Sequence, residues 1–280
     1  MRKQGGKELL TSKLHVDKTR LPHSGMEISR IGLGLAHTHL LSAVDRRRLL
    51  HRAFELGITH FDTARLYADG MSEVCLGEFI LKNRQEFSIT TKFGLLPTPL
   101  IGSMGAAAKP LRKARSVLNK MGILRYPKRS YTQETLRKSL HASLRALKTN
   151  YIDIYCIHEP EADSPVSADL FEELERIKAK GDIRWIGVSG AQVDNIVVTF
   201  GSSLDVVQCA EGSWTESRFV PDITHSLFSE LVPAGRHSGE QGQVEKLLQQ
   251  ALSRRRQGSV VVQTRSVGHL EQIVAWADGR

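Results

Sequence analysis

The sequence predicts an α/β fold of the (β/α)8 TIM-barrel class, and three observations lead to this prediction. Eight short apolar runs alternate with stretches of helical periodicity along the 280 residues. The runs are too short for helices and read as strands of a parallel sheet. No composition break or linker divides the chain, so one closed barrel over residues 1–280 is the simplest arrangement. A doubly wound open sheet is the alternative.

The predicted elements follow one another in chain order. The strands are expected at 28–36, 58–62, 87–93, 151–158, 183–189, 204–210, 222–228 and 259–263. The helices are expected at 43–57, 72–84, 132–149, 169–181, 191–201, 243–257 and 268–277. Thr132 marks the start of one helix, Ser72 is expected to cap another, and Gly57 suits a helix end.

The composition places the chain among ordinary globular proteins, with 40% hydrophobic and 25% charged residues. Its three cysteines, Cys75, Cys156 and Cys209, are far apart and form no CxxC pair, which favours a reducing compartment. The N-terminal charges precede no leader-like apolar run, and no apolar stretch reaches the roughly 18 residues of a membrane span. We therefore expect a cytoplasmic protein that binds no membrane and is a monomer or a weak homo-oligomer.

The net charge of +9 is concentrated in one segment. Residues 95–131 contain eight Lys and Arg residues and no acidic one, so nearly all of the excess lies there. We interpret the segment as a basic insertion that leaves the barrel mouth, with a helix near 109–122, and that attracts an anionic substrate. A solvated loop is the alternative interpretation. Nucleic-acid binding is not expected, because the segment has two aromatic residues and no recognised motif.

Four chemically distinct side chains occupy the carboxyl ends of the second to fourth predicted strands. Asp62 ends the second strand, Tyr67 follows it, and Lys92 and His158 lie on the third and fourth. In a barrel these ends converge on one mouth. An ammonium supported by a carboxylate lowers the pKa of a nearby phenol, and a neutral imidazole orients a carbonyl oxygen. Such a set is a general acid that lacks only a hydride donor.

The chain resembles the aldo-keto reductase family in the stretches GITHFDTARLY, ITTKFG, YIDIYCIHEP, GDIRWIGVSG, DVVQCA and GSVVVQTRS. The resemblance covers nearly all of the chain. It implies an NADP(H)-dependent oxidoreductase that interconverts a carbonyl compound and an alcohol. It also implies that Asp62, Tyr67, Lys92 and His158 are the catalytic tetrad, with Tyr67 as the general acid/base and Asp62 supporting Lys92.

The resemblance further assigns cofactor-binding residues. Ser189 and Gln208 match the positions that bond the nicotinamide carboxamide, and His225 matches the residue that stacks on the nicotinamide ring. Thr264, Arg265 and Ser266 match the segment that grips the 2′-phosphate of NADP(H), and His269 falls near it as a further cofactor-binding residue. Two positions depart from the family pattern, since Gly190 and Ile273 replace expected asparagines.

Two alternatives remain at this stage. His37 and His39 form an HxH after the first strand, which in amidohydrolase-like barrels holds a metal. That hydrolase requires further ligands on later strands, and the eighth offers no Asp, so we expect no metal. The second alternative is a cofactor-binding regulatory subunit with little turnover.

Overall fold

The structure is a computed structural model that describes residues 14–98, 109–121, 127–161, 164–228 and 241–279. Residues 1–13, on which the expectation of no leader rests, lie outside the described residues. So do residues 99–108 and 122–126 of the basic segment.

Eight parallel strands form a closed barrel, which confirms the predicted fold class and excludes the open sheet. They are β3 (Ile31–Gly34), β4 (His60–Asp62), β5 (Ser88–Phe93), β8 (Ile152–His158), β9 (Ile183–Gly190), β10 (Val206–Ala210), β11 (Ile223–His225) and β12 (Ser259–Val262). Seven of them lie within the predicted runs, and β9 extends one residue beyond its run, to Gly190. Strand β12 pairs with β3 to close the ring.

Two small antiparallel pairs are added to the barrel. Strands β1 (Lys18–Arg20) and β2 (Glu27–Ser29) form a hairpin before the first barrel strand. Strands β6 (Leu95–Leu96) and β7 (Lys128–Arg129) pair with each other and therefore bring the two ends of the basic segment together.

Eight α-helices are present in the described residues. They are α1 (Ala43–Glu55), α2 (Met71–Ile80), α3 (Lys109–Lys120), α4 (Gln133–Leu147), α5 (Ala168–Lys180), α6 (Asp194–Phe200), α7 (Gln241–Arg254) and α8 (Val267–Ala277). Helix α3 is the one expected within the basic segment. Thr132 caps α4 as predicted, since its side chain accepts from the Thr135 N–H.

The expected cap at Ser72 is wrong. Helix α2 begins at Met71 with Gly70 in the N-cap position. The Ser72 hydroxyl instead donates to the Leu35 carbonyl at 3.2 Å and accepts from Thr63. The Ser72 hydroxyl is therefore used in a tertiary hydrogen bond to the residue after β3, and does not cap the helix as the local pattern predicted.

The two-residue alternation of β8 decides which side chains reach the barrel interior. Tyr155 and Ile157 belong to the large core between the strands and the outer helices. Ile154 and Cys156 belong to a smaller cluster with Leu21 of the hairpin. His158 continues this second row, and the same alternation assigns Lys92 of β5 to the interior.

None of the helices in the described residues combines the length and apolar character that crossing a bilayer requires. The three cysteines are free thiols, and Cys156 and Cys209 are buried in strands.

Candidate active site

Strand register brings several predicted site residues side by side at the carboxyl end of the barrel. His158 of β8 pairs with Ser189 of β9, and Ser189 pairs with Gln208 of β10. Asp62 ends β4 beside Thr90 of β5, two residues before Lys92. Residues far apart in sequence therefore line one mouth.

Asp62 and Lys92 form a buried ion pair. Lys92 Nζ donates to Asp62 Oδ1 at 2.6 Å and to the Thr63 carbonyl at 2.9 Å. The Lys92 side chain is 1% exposed. Burial alone would lower the pKa of Lys92, but the charge and hydrogen bond of Asp62 reverse this and raise it. The ammonium is therefore charged at neutral pH.

Tyr67 opens a short 3-10 turn, Tyr67–Gly70, that follows β4. Lys92 Nζ lies 5.1 Å from the centre of its ring. The ring of His158 approaches edge-on, with centroids 5.8 Å apart at 80°. Burial raises the pKa of Tyr67, and the charge of Lys92 lowers it by less. Lys92 thus acts in the expected direction, but desolvation has the larger effect on the phenol.

His158 is buried and neutral. Burial and the charge of Lys92 hold the pKa of its imidazole well below 6.5. Its backbone carbonyl accepts a hydrogen bond from the Tyr131 hydroxyl at 2.9 Å. A neutral imidazole at this position can donate an N–H to a substrate oxygen.

Gln208 is fully buried and only half satisfied. Its Nε2 donates to Asp62 Oδ2 at 2.7 Å, while its Oε1 has no hydrogen-bond partner among the described residues. An unpaired buried amide oxygen is costly, so it suits a ligand N–H. Ser189 is buried beside it. The carboxamide of a nicotinamide fits this arrangement.

His225 ends β11 next to Ala210 of β10. Its Nδ1 lies 2.8 Å from the Ser226 hydroxyl. Burial lowers its pKa to about 4, with the charges of Asp62 and Lys92 acting in opposite directions. The side chain is therefore electrostatically coupled to the tetrad.

The four residues predicted at or near the phosphate-binding segment lie around the start of α8, away from the tetrad in sequence. Ser266 caps this helix, and its hydroxyl accepts from the His269 N–H at 3.3 Å. The Thr264 hydroxyl accepts from the Ser266 N–H at 3.1 Å. Arg265 and His269 are exposed. A helix N-terminus with an adjacent guanidinium is a suitable environment for a phosphate.

The two departures from the family pattern have different structural settings. A Cβ at Gly190 would lie 3.1 Å from Oε2 of Glu159, which also accepts from the Ala191 N–H at 3.1 Å. Ile273 lies on α8, belongs to the large core between the strands and the outer helices, and is 5% exposed. The sequence did not predict this contact of Glu159 with the end of β9, although Glu159 follows His158 directly.

The sequence also did not predict that Tyr131 contacts the backbone at the end of β8. Its hydroxyl lies 2.9 Å and 2.8 Å from the carbonyl oxygens of His158 and Glu159, and it is buried. It belongs to no motif in the sequence, because only the fold brings the end of the basic segment against β8.

The HxH pair does not assemble a metal site in the described part of the chain. His39 Nδ1 lies 3.1 Å from the Ala36 carbonyl oxygen, and burial together with Arg265 lowers the pKa of His37. No three His, Cys, Asp or Glu side chains among the described residues are grouped to hold an ion. The hydrolase alternative therefore lacks a ligand set there.

The sequence model of the Aldo/keto reductase family matches residues 30–209. The "Uncharacterized oxidoreductase YqkF" of Bacillus subtilis is 29% identical over 68% of the chain and 54% of its own length. The "NADH-specific methylglyoxal reductase" of Escherichia coli is 29% identical over 71% of the chain and 55% of its own length. The chain thus spans about half the length of these relatives.

Solved structures share the fold at low sequence identity. An aldo-keto reductase from Bacillus halodurans, solved in its holo form, has a TM-score of 0.71 and 20% identity, and the match covers 94% of this chain and 91% of that one. An aldo-keto reductase from Klebsiella pneumoniae in complex with NADPH has a TM-score of 0.65 and 19% identity, over 94% and 90% of the two chains.

Proposed function

The chain belongs to the aldo/keto reductase family, and from this premise we propose that it is an NADP(H)-dependent oxidoreductase that interconverts a carbonyl compound and an alcohol. One observation carries the proposal. The buried Asp62–Lys92 pair lies beside the ring of Tyr67, and a neutral His158 packs edge-on against that ring. Burying a charged pair costs desolvation free energy that a packed apolar core would avoid, so its place against a phenol and an imidazole favours a chemical role.

Each side chain has a defined task in this proposal. His158 donates an N–H to the carbonyl oxygen and orients it. Tyr67 transfers its proton to the same oxygen as negative charge develops there, and the Lys92 ammonium stabilises the phenolate that remains. Asp62 keeps Lys92 charged and in place. Bound NADPH supplies the hydride.

The cofactor residues support NADP(H) at two separate points. The unpaired Gln208 Oε1 and the neighbouring Ser189 suit the nicotinamide carboxamide, and His225 lies at the adjacent strand end. Arg265 and the capped start of α8 suit a 2′-phosphate. We assign Thr264, Ser266 and His269 to the same phosphate segment. One relative carries an NADH-specific name, so the preference for NADPH rests on Arg265 and is tested below.

The substrate class that we propose is an aldehyde, a ketone or a sugar lactol that carries an acidic group. Exposed Lys113 and Lys128 lie in the basic segment and support this. Arg115 and Arg129 do not, because each pairs with a carboxylate, Asp69 and Glu161 respectively. The acidic substrate should lose more kcat/KM than its neutral analogue at high salt, and replacing both lysines by Met should abolish that difference. Equal salt responses would overturn this assignment.

The experiment for the proposed function combines fluorescence titration with NADPH and steady-state reduction of a panel of aldehydes and ketones. Binding accompanied by turnover is the expected result. Binding without turnover on any substrate would favour the regulatory subunit. No binding, together with stoichiometric zinc in the purified protein, would overturn the proposal and favour the hydrolase.

A further inference from the structure

Asp69 is a fully buried carboxylate in the turn that carries Tyr67. Its side chain is 0% exposed. Its Oδ1 accepts from the Thr98 N–H at 3.0 Å, which ties the turn to the beginning of the basic segment. The residue lies two positions after Tyr67, yet it takes no part in the catalytic set described above.

Arg115 of α3 reaches this carboxylate with both terminal nitrogens. Nη1 donates to Asp69 Oδ1 at 2.8 Å and Nη2 donates to Oδ2 at 3.1 Å. Nη1 also donates to the Thr98 hydroxyl at 2.9 Å. The Arg115 side chain is only 15% exposed. A guanidinium that meets a carboxylate through two hydrogen bonds fixes its orientation as well as its charge.

The turn held in this way has an unfavourable backbone. Ala68 and Asp69 have φ of 53° and 56°, and Gly70 has φ of 94°. Residues with a Cβ rarely adopt this left-handed conformation, and they do so where surrounding contacts impose it. Because Tyr67 immediately precedes this run, relaxation of the turn would move its phenol relative to Lys92 and His158.

The geometry points to Arg115 as a positioning residue that holds the Tyr67 turn through Asp69 and so couples the basic segment to catalysis. This inference rests on the proposed function, in which Tyr67 is the acid. It assigns part of the basic segment a role other than attracting substrate. Arg115 lies 46 residues beyond Asp69 in the chain, so correct folding of the insertion becomes a condition for an active site.

The experiment separates positioning from simple charge compensation. Arg115→Met alone takes the guanidinium away from the buried Asp69 carboxylate, so the variant loses stability whichever role is correct. The double variant Asp69→Asn with Arg115→Met removes the carboxylate charge as well. We expect its thermal stability to recover, its NADPH Kd to match that of the wild type, and its kcat to remain about tenfold to a hundredfold lower. Arg115→Lys should retain part of the rate.

The matched control neutralises another arginine–carboxylate pair on the outer helices. Arg137 Nε donates to Glu173 Oε1 at 2.7 Å between α4 and α5. Glu173→Gln with Arg137→Met should leave kcat unchanged. A double variant at Asp69 and Arg115 with wild-type kcat would overturn the inference.

A second measurement needs no turnover. NMR of protein labelled with [13C]tyrosine resolves five tyrosines, and Tyr67→Phe identifies the Tyr67 signal. The double variant should shift or broaden this signal and leave that of Tyr155 unchanged. An unaltered Tyr67 signal would overturn the inference even if no substrate were found. Absence of NADPH-dependent reduction by the wild type would instead count against the proposed function.

Discussion

The Lys92 ammonium lies 5.1 Å from the centre of the Tyr67 ring. Burial disfavours the charged form of each of these two groups. Burial raises the pKa of Tyr67, and Lys92 opposes that rise. The phenol is therefore protonated at neutral pH, as a proton donor must be. The same lysine would stabilise the phenolate that forms when the proton leaves.

Tyr67→Phe should abolish reduction while leaving cofactor binding intact. In the proposed mechanism the phenol hydroxyl acts only in proton transfer, so kcat should fall by about a hundredfold to ten-thousandfold. Steady-state kinetics and NADPH fluorescence titration measure the two effects. Tyr151→Phe is the matched control, since Tyr151 stacks between Arg84 and Arg184 before β8, at the opposite end of the barrel. Retention of most of the turnover by Tyr67→Phe would rule out this residue as the acid.

Lys92→Met should lower both activity and stability. It leaves Asp62 buried without its counter-charge, which costs about 3–5 kcal/mol of unfolding free energy. It also raises the pKa of Tyr67 further, because Lys92 no longer stabilises the phenolate. Urea denaturation and steady-state kinetics measure these changes. The double variant Asp62→Asn with Lys92→Met should recover much of the stability and none of the rate. A double variant that recovers both would mean that the pair is structural.

Arg265→Ala should weaken NADPH binding selectively. A charge-assisted hydrogen bond to phosphate contributes about 1.5–3 kcal/mol, so the Kd for NADPH should rise about tenfold to a hundredfold. The Kd for NADH should not change, because NADH lacks the 2′-phosphate. Fluorescence titration with both cofactors measures the difference, with exposed Arg256→Ala as the control. Equal weakening of the two cofactors would contradict the assignment of Arg265.

His23→Gln should remove a pH-dependent contribution to stability. His23 Nδ1 lies 2.7 Å from Asp222 Oδ2, and this hydrogen bond raises the pKa of His23 against the opposing effect of burial. A raised folded pKa means that protonated His23 stabilises the protein fully below the unfolded value of about 6.5. That contribution is lost as the pH rises through the higher folded pKa.

Thermal denaturation of wild type and His23→Gln between about pH 5.5 and about pH 9 checks this. The range runs from about one unit below the unfolded pKa to about two and a half units above it. The wild type should be more stable at the acidic end, and the difference should shrink as the pH rises. Exposed His141→Gln on α4 is the control and should show no such trend. A difference that stays constant across the range would mean that the charge of His23 does not matter.

The sequence was sufficient to predict the barrel because the apolar patterns of its strands and helices are local. Each parallel strand is a short apolar run and each helix repeats apolar residues on one face, so both can be recognised within a few residues. The proximity of three of the proposed tetrad residues could be predicted for a related reason. Asp62, Lys92 and His158 lie at or near strand ends, and a closed barrel collects those ends at one mouth. Ser72 was misplaced because the Leu35 carbonyl, remote in sequence, competes for its hydroxyl.

What only the tertiary structure decided are the relationships that depend on distance and burial. No local pattern pairs Asp69 with Arg115, or brings the Tyr131 hydroxyl to the carbonyls of β8. Sequence alone predicted the direction in which Lys92 changes the pKa of Tyr67, because a nearby positive charge favours ionisation of a phenol. It could not predict that the pKa of Tyr67 is raised overall, because desolvation depends on how many atoms exclude water from the phenol. That exclusion is a property of the assembled barrel and not of any segment within it.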